Sequence, residues 1–321
     1  MKAIARLVAL LAAPLVTAAA LAQAYPTRPV KIVVPYGAGG PADIYARFLG
    51  SKLGEALGQS FVIEDRPGGG AVIGTDAVAK SAPDGYTLLM MSNTHTVNET
   101  LFSKKPYSLM RDLAPITGVN YSDLVMVIHP SVPANNLKEF IALAKAKPHE
   151  LNYASSGPGT PYHMAGELFK AMAGVDIVHV PYKGSDGART GILGGQVQMM
   201  LDAITTMAPN VRAGKVRAIG TTGTKRSTVL PDVPTLAEAG LPGYESGIWL
   251  GLMAPAGTPH AILARLNVEV NKVVNAPEVR ELWARQGAVP MGMSIEQFDK
   301  FLREEIVKWA RVVQISGAKV D

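Results

Sequence analysis

The sequence predicts an α/β protein made of two lobes with a cleft between them. Short β-rich runs such as VKIVVPY and YTLLMMS alternate with helical patterns, and this alternation is typical of sheets with helices on both faces. Two strand, glycine-loop and helix units lie far apart along the chain. The length of 321 residues is enough for about two cores of roughly 150 residues each.

The N-terminal 24 residues have the pattern of a secretory signal peptide. Lys2 and Arg6 precede the apolar run Leu7 to Val16, and the small residues Ala22-Gln23-Ala24 follow it. The pattern predicts cleavage after Ala24 and export to the periplasm of an unfolded chain, because no twin arginine is present. An N-terminal membrane anchor is the alternative. No later stretch has about 18 uninterrupted apolar residues, so we expect the exported chain to be soluble.

The composition excludes several classes of function. The chain has no cysteine, which excludes a disulfide scaffold and thiol chemistry. Its net charge of +5 falls by two when the signal is removed, and no run of lysine or arginine is present. The composition therefore does not indicate a nucleic-acid partner.

Two helices have clear sequence signals. In the first, Pro41 suits the first helical position and Gly58 suits the C-cap, and an apolar stripe is expected at Ile44, Phe48, Leu49, Leu53 and Leu57. Near the C-terminus, Ser294-Ile295-Glu296-Gln297 has the form of a capping box.

The first glycine loop follows the buried strand VKIVV. Its core, Gly37-Ala38-Gly39-Gly40-Pro41-Ala42, fits the G-x-G-x-x-A form of a dinucleotide-binding fingerprint. It could equally hold a small anion, because free N–H groups and the helix dipole favour negative charge at a helix N-terminus. Asp43 then either contacts a ligand or only stabilises the start of the helix.

The second glycine loop, SSGPGTPYH, follows the strand LNYA and adds the hydroxyls of Ser155, Ser156 and Thr160. Ligands of open α/β sheets bind beyond the carboxyl ends of the strands, so facing lobes would direct both loops into one cleft. Such neutral donors suit a carboxylate. Alternatively, Ser156 or Thr160 only caps the next helix and the glycines only turn the chain.

Several long motifs run along the chain in the order of one known family. They are YPTRPVKIVVPYGAGGPAD, EDRPGGGAVIGTDAVAKSAPDGYTLL, YASSGPGTPYHMAGELF, VPYKG, LGGQVQMMLD and DVPTLAEAGLPGYE. In these motifs the chain resembles the Bug family, the extracytoplasmic solute-binding proteins of tripartite tricarboxylate transporters. The resemblance implies a two-lobed, type II-like periplasmic binding protein that closes around a small organic carboxylate and presents it to a membrane permease.

The resemblance also implies how the chain is divided into lobes and which oligomeric state it has. Each lobe would be a mixed, mainly parallel sheet flanked by helices. We expect residues 25–122 and 221–321 to form lobe 1 and residues 123–220 to form lobe 2. A monomer without cofactor or metal is expected.

Site residues follow from the resemblance motif by motif. In lobe 1 the implied ligand contacts are Tyr36, Gly39, Gly40, Ala42 and Asp43. In lobe 2 they are Ser155, Ser156, Gly157, Thr160, His163, Tyr182 and Asp202. Many relatives have a serine or threonine where this chain has Pro41-Ala42, so this loop offers fewer hydroxyls. The loop EDRPGGG, with Asp65 where relatives often have asparagine, is interpreted as structural, its glycines supplying positive φ near the hinge.

Each remaining candidate has an alternative explanation. His163 and Glu167 lie four apart and could be metal ligands, but no third ligand with suitable spacing is evident. Asp202 could simply cap the helix that follows it. His95 and Asn98 could border the cleft or be structural. Ser155-Ser156-Gly157 lacks the G-x-S-x-G elbow of a hydrolase.

Two rival functions stay open on the sequence. A dinucleotide-dependent enzyme is supported by the fingerprint and by Glu64 or Asp65, an acid about 20 residues further on. A binding protein that serves a sensor instead of a permease has the same sequence features.

Overall fold

The computed structural model describes residues 25–318. The predicted signal peptide, residues 1–24, lies outside the described residues. The strands are β1 (Val30–Val34), β2 (Phe61–Asp65), β3 (Thr87–Ser92), β4 (Leu113–Ile128), β5 (Asn152–Ser155), β6 (Val178–Pro181), β7 (Met199–Ala203), β8 (Arg217–Thr221), β9 (Gly247–Pro255) and β10 (Ala288–Pro290). The helices are α1 (Pro41–Leu57), α2 (Val72–Ala79), α3 (Asn93–Leu101), α4 (Leu109–Asp112), α5 (Leu137–Ala146), α6 (Pro161–Ala173), α7 (Ser185–Leu193), α8 (Ile204–Arg212), α9 (His260–Asn275), α10 (Pro277–Gln286) and α11 (Ile295–Ser316).

One long strand, β4, belongs to the sheets of both lobes. The strands lie in the order β2-β1-β3-β9-β4-β7-β5-β6, and β8 and β10 also pair with β4. The first part of β4 pairs with β9 as far as Asp123, opposite Gly247. From Leu124, opposite Ala203, it pairs with β7. The two sheets therefore meet at the step from Asp123 to Leu124.

Each lobe has a mixed sheet, as the resemblance implied, but neither sheet is mainly parallel, because among the described strands lobe 1 has two parallel and three antiparallel pairs and lobe 2 has two of each. In lobe 1, β1 is parallel to β2 and β3, whereas β9 and β10 run antiparallel to β4. In lobe 2, β5 is parallel to β6 and β7, and β4 is antiparallel to β7 and β8. The parallel pairs form the outer part of each sheet, and their strand ends carry the glycine loops.

Helix α1 starts and ends where the sequence predicts, but its buried face differs. Pro41 is at the first helical position and Gly58 ends the helix in the left-handed conformation. Ile44, expected in the apolar stripe, is 43% exposed. Tyr45 packs edge-on against Trp283, with ring centroids 5.1 Å apart, so the core face is rotated towards α10. At α11 the predicted capping box is present, with Ser294 and Gln297 bonding reciprocally.

The two lobes are also joined by helix packing away from the sheets. Met164 of α6 lies in a buried cluster with Val97, Leu101 and Trp309 from lobe 1. The hydroxyl of Tyr244 donates to the carbonyl oxygen of Ala165 at 2.7 Å. Helix α6 of lobe 2 therefore packs on lobe 1.

Within residues 25–318, no helix is both long and apolar enough to cross a membrane.

Candidate functional site

A cavity of about 470 Å³ lies between the lobes. Lobe 1 contributes the loops after β1 and β2, the ends of β3 and α3 and the start of β9, and lobe 2 contributes the loops after β5 and β6. The lining residues are Pro35, Tyr36, Gly37, Gly40, Pro41, Ala42, Pro67, Gly68, Gly69, Gly70, Ala71, Ser92, Phe102, Ser156, Gly157, Pro158, Thr160, Pro161, Tyr162, Tyr182, Lys183, Gly184, Ser185 and Ile248.

Three helices begin at the wall of this cavity without a side-chain cap. Gly40, Thr160 and Gly184 are the N-cap residues of α1, α6 and α7, all three line the cavity, and none of them caps its helix through its side chain. The first-turn N–H groups of a helix have no intrahelical partner and carry the positive end of its dipole. These three helix starts therefore make the cavity wall electropositive.

Helix α2 also begins at the cavity, but the first N–H groups of this helix already have hydrogen-bond acceptors. The N–H groups of Val72 and Ile73 donate to the carbonyl oxygens of Gly69 and Gly68 at 3.2 and 3.4 Å. The backbone from Gly68 to Ala71 has positive φ throughout, which fits the role expected for these glycines. The interpretation of this loop as only structural was incomplete, since residues 67–71 line the cavity.

Asp43 stabilises the first glycine loop from behind. Its Oδ2 accepts the N–H of Gly39 at 2.9 Å, and its carboxylate forms an ion pair with Arg47 at 2.6 Å. Arg47 also binds Asp65 at 2.9 Å. The acids that a dinucleotide site would use, Glu64 and Asp65, are thus occupied by Lys31 and Arg47.

Two stacked histidines hold the second glycine loop. The Nδ1 of His163 accepts the N–H of Gly159 at 3.1 Å, and the Nε2 of His179 lies 2.6 Å from the Oγ of Ser155. That Oγ in turn accepts the N–H of Gly157 at 3.1 Å. The two imidazole rings are stacked with centroids 4.2 Å apart. Sequence reasoning missed His179.

Both of these histidines are held neutral. Burial lowers the pKa of His163 to about 4, with the Glu167 charge opposing the change. Burial and the neighbouring His163 lower the pKa of His179 to about 3. A neutral ring is required at His163, because its Nδ1 can accept the Gly159 N–H only when it carries no proton. Glu167 accepts from Tyr153 at 2.6 Å and binds Lys170 at 3.1 Å.

A third buried histidine, His95, supports the lobe 1 wall. Thr75 donates its hydroxyl to the carbonyl oxygen of Ala71 at 2.7 Å, so it receives the Nε2 hydrogen of His95 at 2.9 Å. The Nδ1 of His95 then accepts the N–H of Ser92 at 3.2 Å. Burial lowers the pKa of His95 to about 4. Ser92 and Tyr36 meet at 2.6 Å between their hydroxyl oxygens, and both line the cavity.

Asp202 lies behind the lobe 2 wall and binds Arg189 at 2.8 Å. Thr206 of the following helix donates to the same carboxylate at 3.4 Å. Asp202 Oδ1, Arg189 Nη2 and the hydroxyl of Tyr162 are buried without a hydrogen-bond partner in the described part of the chain. The charge of Asp202 adds to burial in raising the pKa of Tyr162, so this cavity-lining tyrosine is next to the pair.

The lobes approach each other through glycines. A β-carbon built at Gly40 would lie 2.8 Å from the Oγ of Ser185 across the cleft, and one built at Gly39 would lie 2.6 Å from Oδ2 of Asp186. On the other side of the cavity, a β-carbon at Gly70 would lie 2.9 Å from the carbonyl oxygen of Pro158. In this structure the two lobes therefore touch on both sides of the cavity, which is a closed arrangement of the cleft.

The structure separates the expected site residues into two groups. Those that line the cavity are Tyr36, Gly40, Ala42, Ser156, Gly157, Thr160 and Tyr182. Those that lie behind the lining and bond to it or to each other are Gly39, Asp43, Ser155, His163 and Asp202. The glycine motifs located both walls. The EDRPGGG motif marked residues 67–70, which the sequence analysis interpreted as structural, whereas Phe102 and Ile248 had no motif to reveal them.

A cavity between two α/β lobes that share a strand is the arrangement typical of a two-lobed solute-binding protein. The family model described as tripartite tricarboxylate transporter family receptor (TctC) matches residues 45–318. Protein BugT of Bordetella pertussis is 39% identical over 301 residues, which cover 93% of this chain and 92% of BugT. The chain thus belongs to the TctC family, the family of the Bug receptors.

Solved structures agree with this assignment. An R. palustris protein solved with adipate has a TM-score of 0.89 and 34% sequence identity, and the match covers 91% of this chain and 98% of that one. MatC from Rhodopseudomonas palustris, solved with bound malate, has a TM-score of 0.85 and 34% identity, with 90% and 100% covered.

Proposed function

We propose that this protein is a periplasmic receptor that captures a small organic carboxylate by lobe closure and delivers it to a tripartite tricarboxylate-type permease. One observation carries the proposal: three helices without side-chain caps begin at the wall of one cavity between the lobes. Backbone N–H groups at helix N-termini are an established way of binding anions.

The charges around the cavity support an anionic ligand. Among the described residues that line it, Lys183 is the single cation and none is a carboxylate. The acids next to the wall are paired with arginines, Asp43 with Arg47 and both Asp186 and Asp202 with Arg189. A carboxylate entering the cavity would therefore meet donors and no competing negative charge.

Relatives support the ligand class. Two structures of the same family at 34% identity were solved with adipate and with malate, which are both carboxylates. We extend carboxylate binding to this chain because the fold is shared and the cavity wall is electropositive.

The proposed motion is a hinge between lobe 1, residues 25–122 and 221–321, and lobe 2, residues 123–220. The chain crosses between the sheets at Asp123 and Leu124 and returns after β8. Each lobe supplies only part of the wall, so only the closed form has all the donors together. Export would depend on the signal at residues 1–24.

The test uses two of the three hydroxyls of the second glycine loop. Ser156 lines the cavity, whereas the Thr160 hydroxyl donates to the carbonyl oxygen of Gly157 at 2.7 Å. A hydrogen bond to a charged group contributes about 1.5 to 3 kcal/mol, so Ser156→Ala should weaken carboxylate binding roughly 10- to 100-fold. Thr160→Ala, the matched control, should mainly lower stability by about 1 kcal/mol.

Calorimetry and thermal shift on the purified protein provide the readout. The panel contains mono- and dicarboxylates, amino acids, nicotinate and NAD. Stabilisation by carboxylates supports the proposal. A shift with NAD and none with any carboxylate would overturn it.

A further inference from the structure

We propose that the preferred ligand is a monocarboxylate with an apolar body, in preference to a dicarboxylate or a hydroxy acid. The inference rests on the proposed function and narrows its substrate class. It comes from an unequal distribution of polar groups between the two sides of the cavity.

The polar side of the cavity is where the first glycine loop meets α7. A β-carbon built at Gly37 would lie 3.5 Å from the carbonyl oxygen of Lys183, and one at Gly40 would approach Ser185. The uncapped starts of α1 and α7 therefore face each other here. Tyr162, in the first turn of α6, belongs to the same side, because Asp202 and Arg189 lie next to it. This side is suited to one carboxylate.

The apolar side is where the loop after β2 meets the second glycine loop. Gly70 lies against Pro158 and Phe102, whose ring carbon would be 3.3 Å from a β-carbon at Gly70. Pro67 also lines the cavity. The first-turn N–H groups of α2 already donate to Gly68 and Gly69, so this helix start offers little to a second anion.

Most hydroxyls of the lining already have partners inside their own lobe. Tyr36 bonds Ser92 at 2.6 Å, and Thr160 donates to Gly157 at 2.7 Å. The hydroxyl of Tyr182 lies against Gly191 of α7 and is 3.4 Å from Oε1 of Gln196, which follows this helix. These residues thus present rings and methyl groups to the ligand. Among the described lining residues, the hydroxyls without a partner are those of Ser156, Tyr162 and Ser185, and they remain available to one carboxylate. A second carboxylate buried against Tyr36, Thr160 and Tyr182 would lose its hydration without replacement.

The size of the cavity agrees with a bulky body. Its volume of about 470 Å³ corresponds to on the order of 15 water molecules at roughly 30 Å³ each. A four-carbon diacid would leave much of that space to water. An aliphatic or aromatic body would instead cover Phe102, Ile248 and the prolines, and gain the free energy of apolar burial.

The test compares acids that differ in one feature. Hexanoate and adipate have the same chain length and differ by one carboxylate, and phenylacetate and malate represent an apolar and a polar body. Calorimetry on the purified protein should give hexanoate and phenylacetate at least about 10-fold tighter binding than adipate and malate. Adipate or malate binding as tightly as hexanoate would overturn the inference and leave carboxylate capture intact. Absence of binding by all four acids would overturn both.

A pair of phenylalanine variants locates the apolar side. Phe102→Ala should weaken phenylacetate about 10-fold and leave acetate unchanged, whereas Phe102→Leu should retain most of the affinity. Phe48→Ala is the matched control, because Phe48 packs on Trp283 with centroids 5.7 Å apart, away from the cavity lining. Equal phenylacetate affinity in Phe102→Ala and the unaltered protein would contradict the assignment of this side.

Discussion

Gly40 needs to be glycine because of closure rather than local conformation. Its φ of −79° and ψ of 167° are open to any residue, yet a β-carbon there would lie 2.8 Å from Ser185 Oγ in the opposite lobe. Gly39 differs, since its φ of 74° already favours glycine. The motif predicted both glycines, but only the packed lobes distinguish the two reasons.

We predict that Gly40→Ala weakens carboxylate binding about 10-fold with little effect on stability, because the methyl group obstructs closure and not folding. Ser185→Ala in the same chain removes the obstructing oxygen and should restore most of the affinity. Gly54→Ala is the control, since its nearest neighbour would be the carbonyl oxygen of Gln59 at 3.5 Å. Calorimetry gives the affinities; a Gly40→Ala protein with unaltered affinity would contradict the closed geometry.

The buried histidines should make the stability of the protein depend on pH. The pKa values of His95, His163 and His179 are lowered from 6.5 to between about 3 and 4, so the unfolded chain binds more protons than the folded one below pH 6.5. Stability is then fully present above that pH and is lost as the pH falls towards the folded values. Each histidine contributes about 1.4 kcal/mol per pH unit in this window.

His179→Gln tests this dependence against the background of all other groups. The free energy of unfolding from urea denaturation should fall less steeply between pH 6.5 and 5 in the variant, by about 1.4 kcal/mol per pH unit. Identical slopes in the two proteins would show that His179 titrates in the folded state as it does in the unfolded chain.

At the scale of helices and strands, the sequence predicted the features that neighbouring residues determine. It missed the features that depend on which strands pair and in which register. The strand, loop and helix units around α1 and α6 and the α11 capping box follow from short-range signals. His179 was missed because its role depends on the register of β5 and β6, which places it opposite Tyr153. The loop after β2 reaches the cavity because β2 pairs with β1, and neither strand's sequence specifies that neighbour.

Helix α6 provides a prediction at this scale. Tyr244→Phe removes the hydrogen bond to Ala165 that joins the lobes and should lower the free energy of unfolding by about 1 kcal/mol. Tyr45→Phe is the matched control, because the Tyr45 hydroxyl is buried without a partner among the described residues, and its loss should be neutral or stabilising. Urea denaturation of both variants provides the measurement, and equal effects would contradict the role given to Tyr244.

For the whole molecule, the sequence predicted two lobes from its two glycine-loop units. It did not reveal that one 16-residue strand runs through both sheets, because alternation of polar and apolar residues does not identify a strand's partners. The boundaries of the lobes near residues 122 and 221 stay predictions. A measurement of lobe closure in solution tests this division of the chain into two lobes.

X-ray scattering in solution should show a smaller radius of gyration when a tightly binding carboxylate saturates the protein, because closure brings the two walls of the cavity together. Gly40→Ala should compact less at the same saturation. An unchanged radius in the unaltered protein would contradict capture by closure.

The sharing of β4 also restricts how this receptor could change during evolution. A lobe exchanged between relatives by recombination would bring only half of a strand, and the breakpoint at Asp123 and Leu124 would have to keep the register with β9 on one side and β7 on the other. Exchange of either lobe would in addition need two crossovers, because lobe 2 lies along the chain between the two segments assigned to lobe 1. New ligand preferences are therefore more accessible by point substitution in the loops that surround the cavity than by the shuffling of lobes.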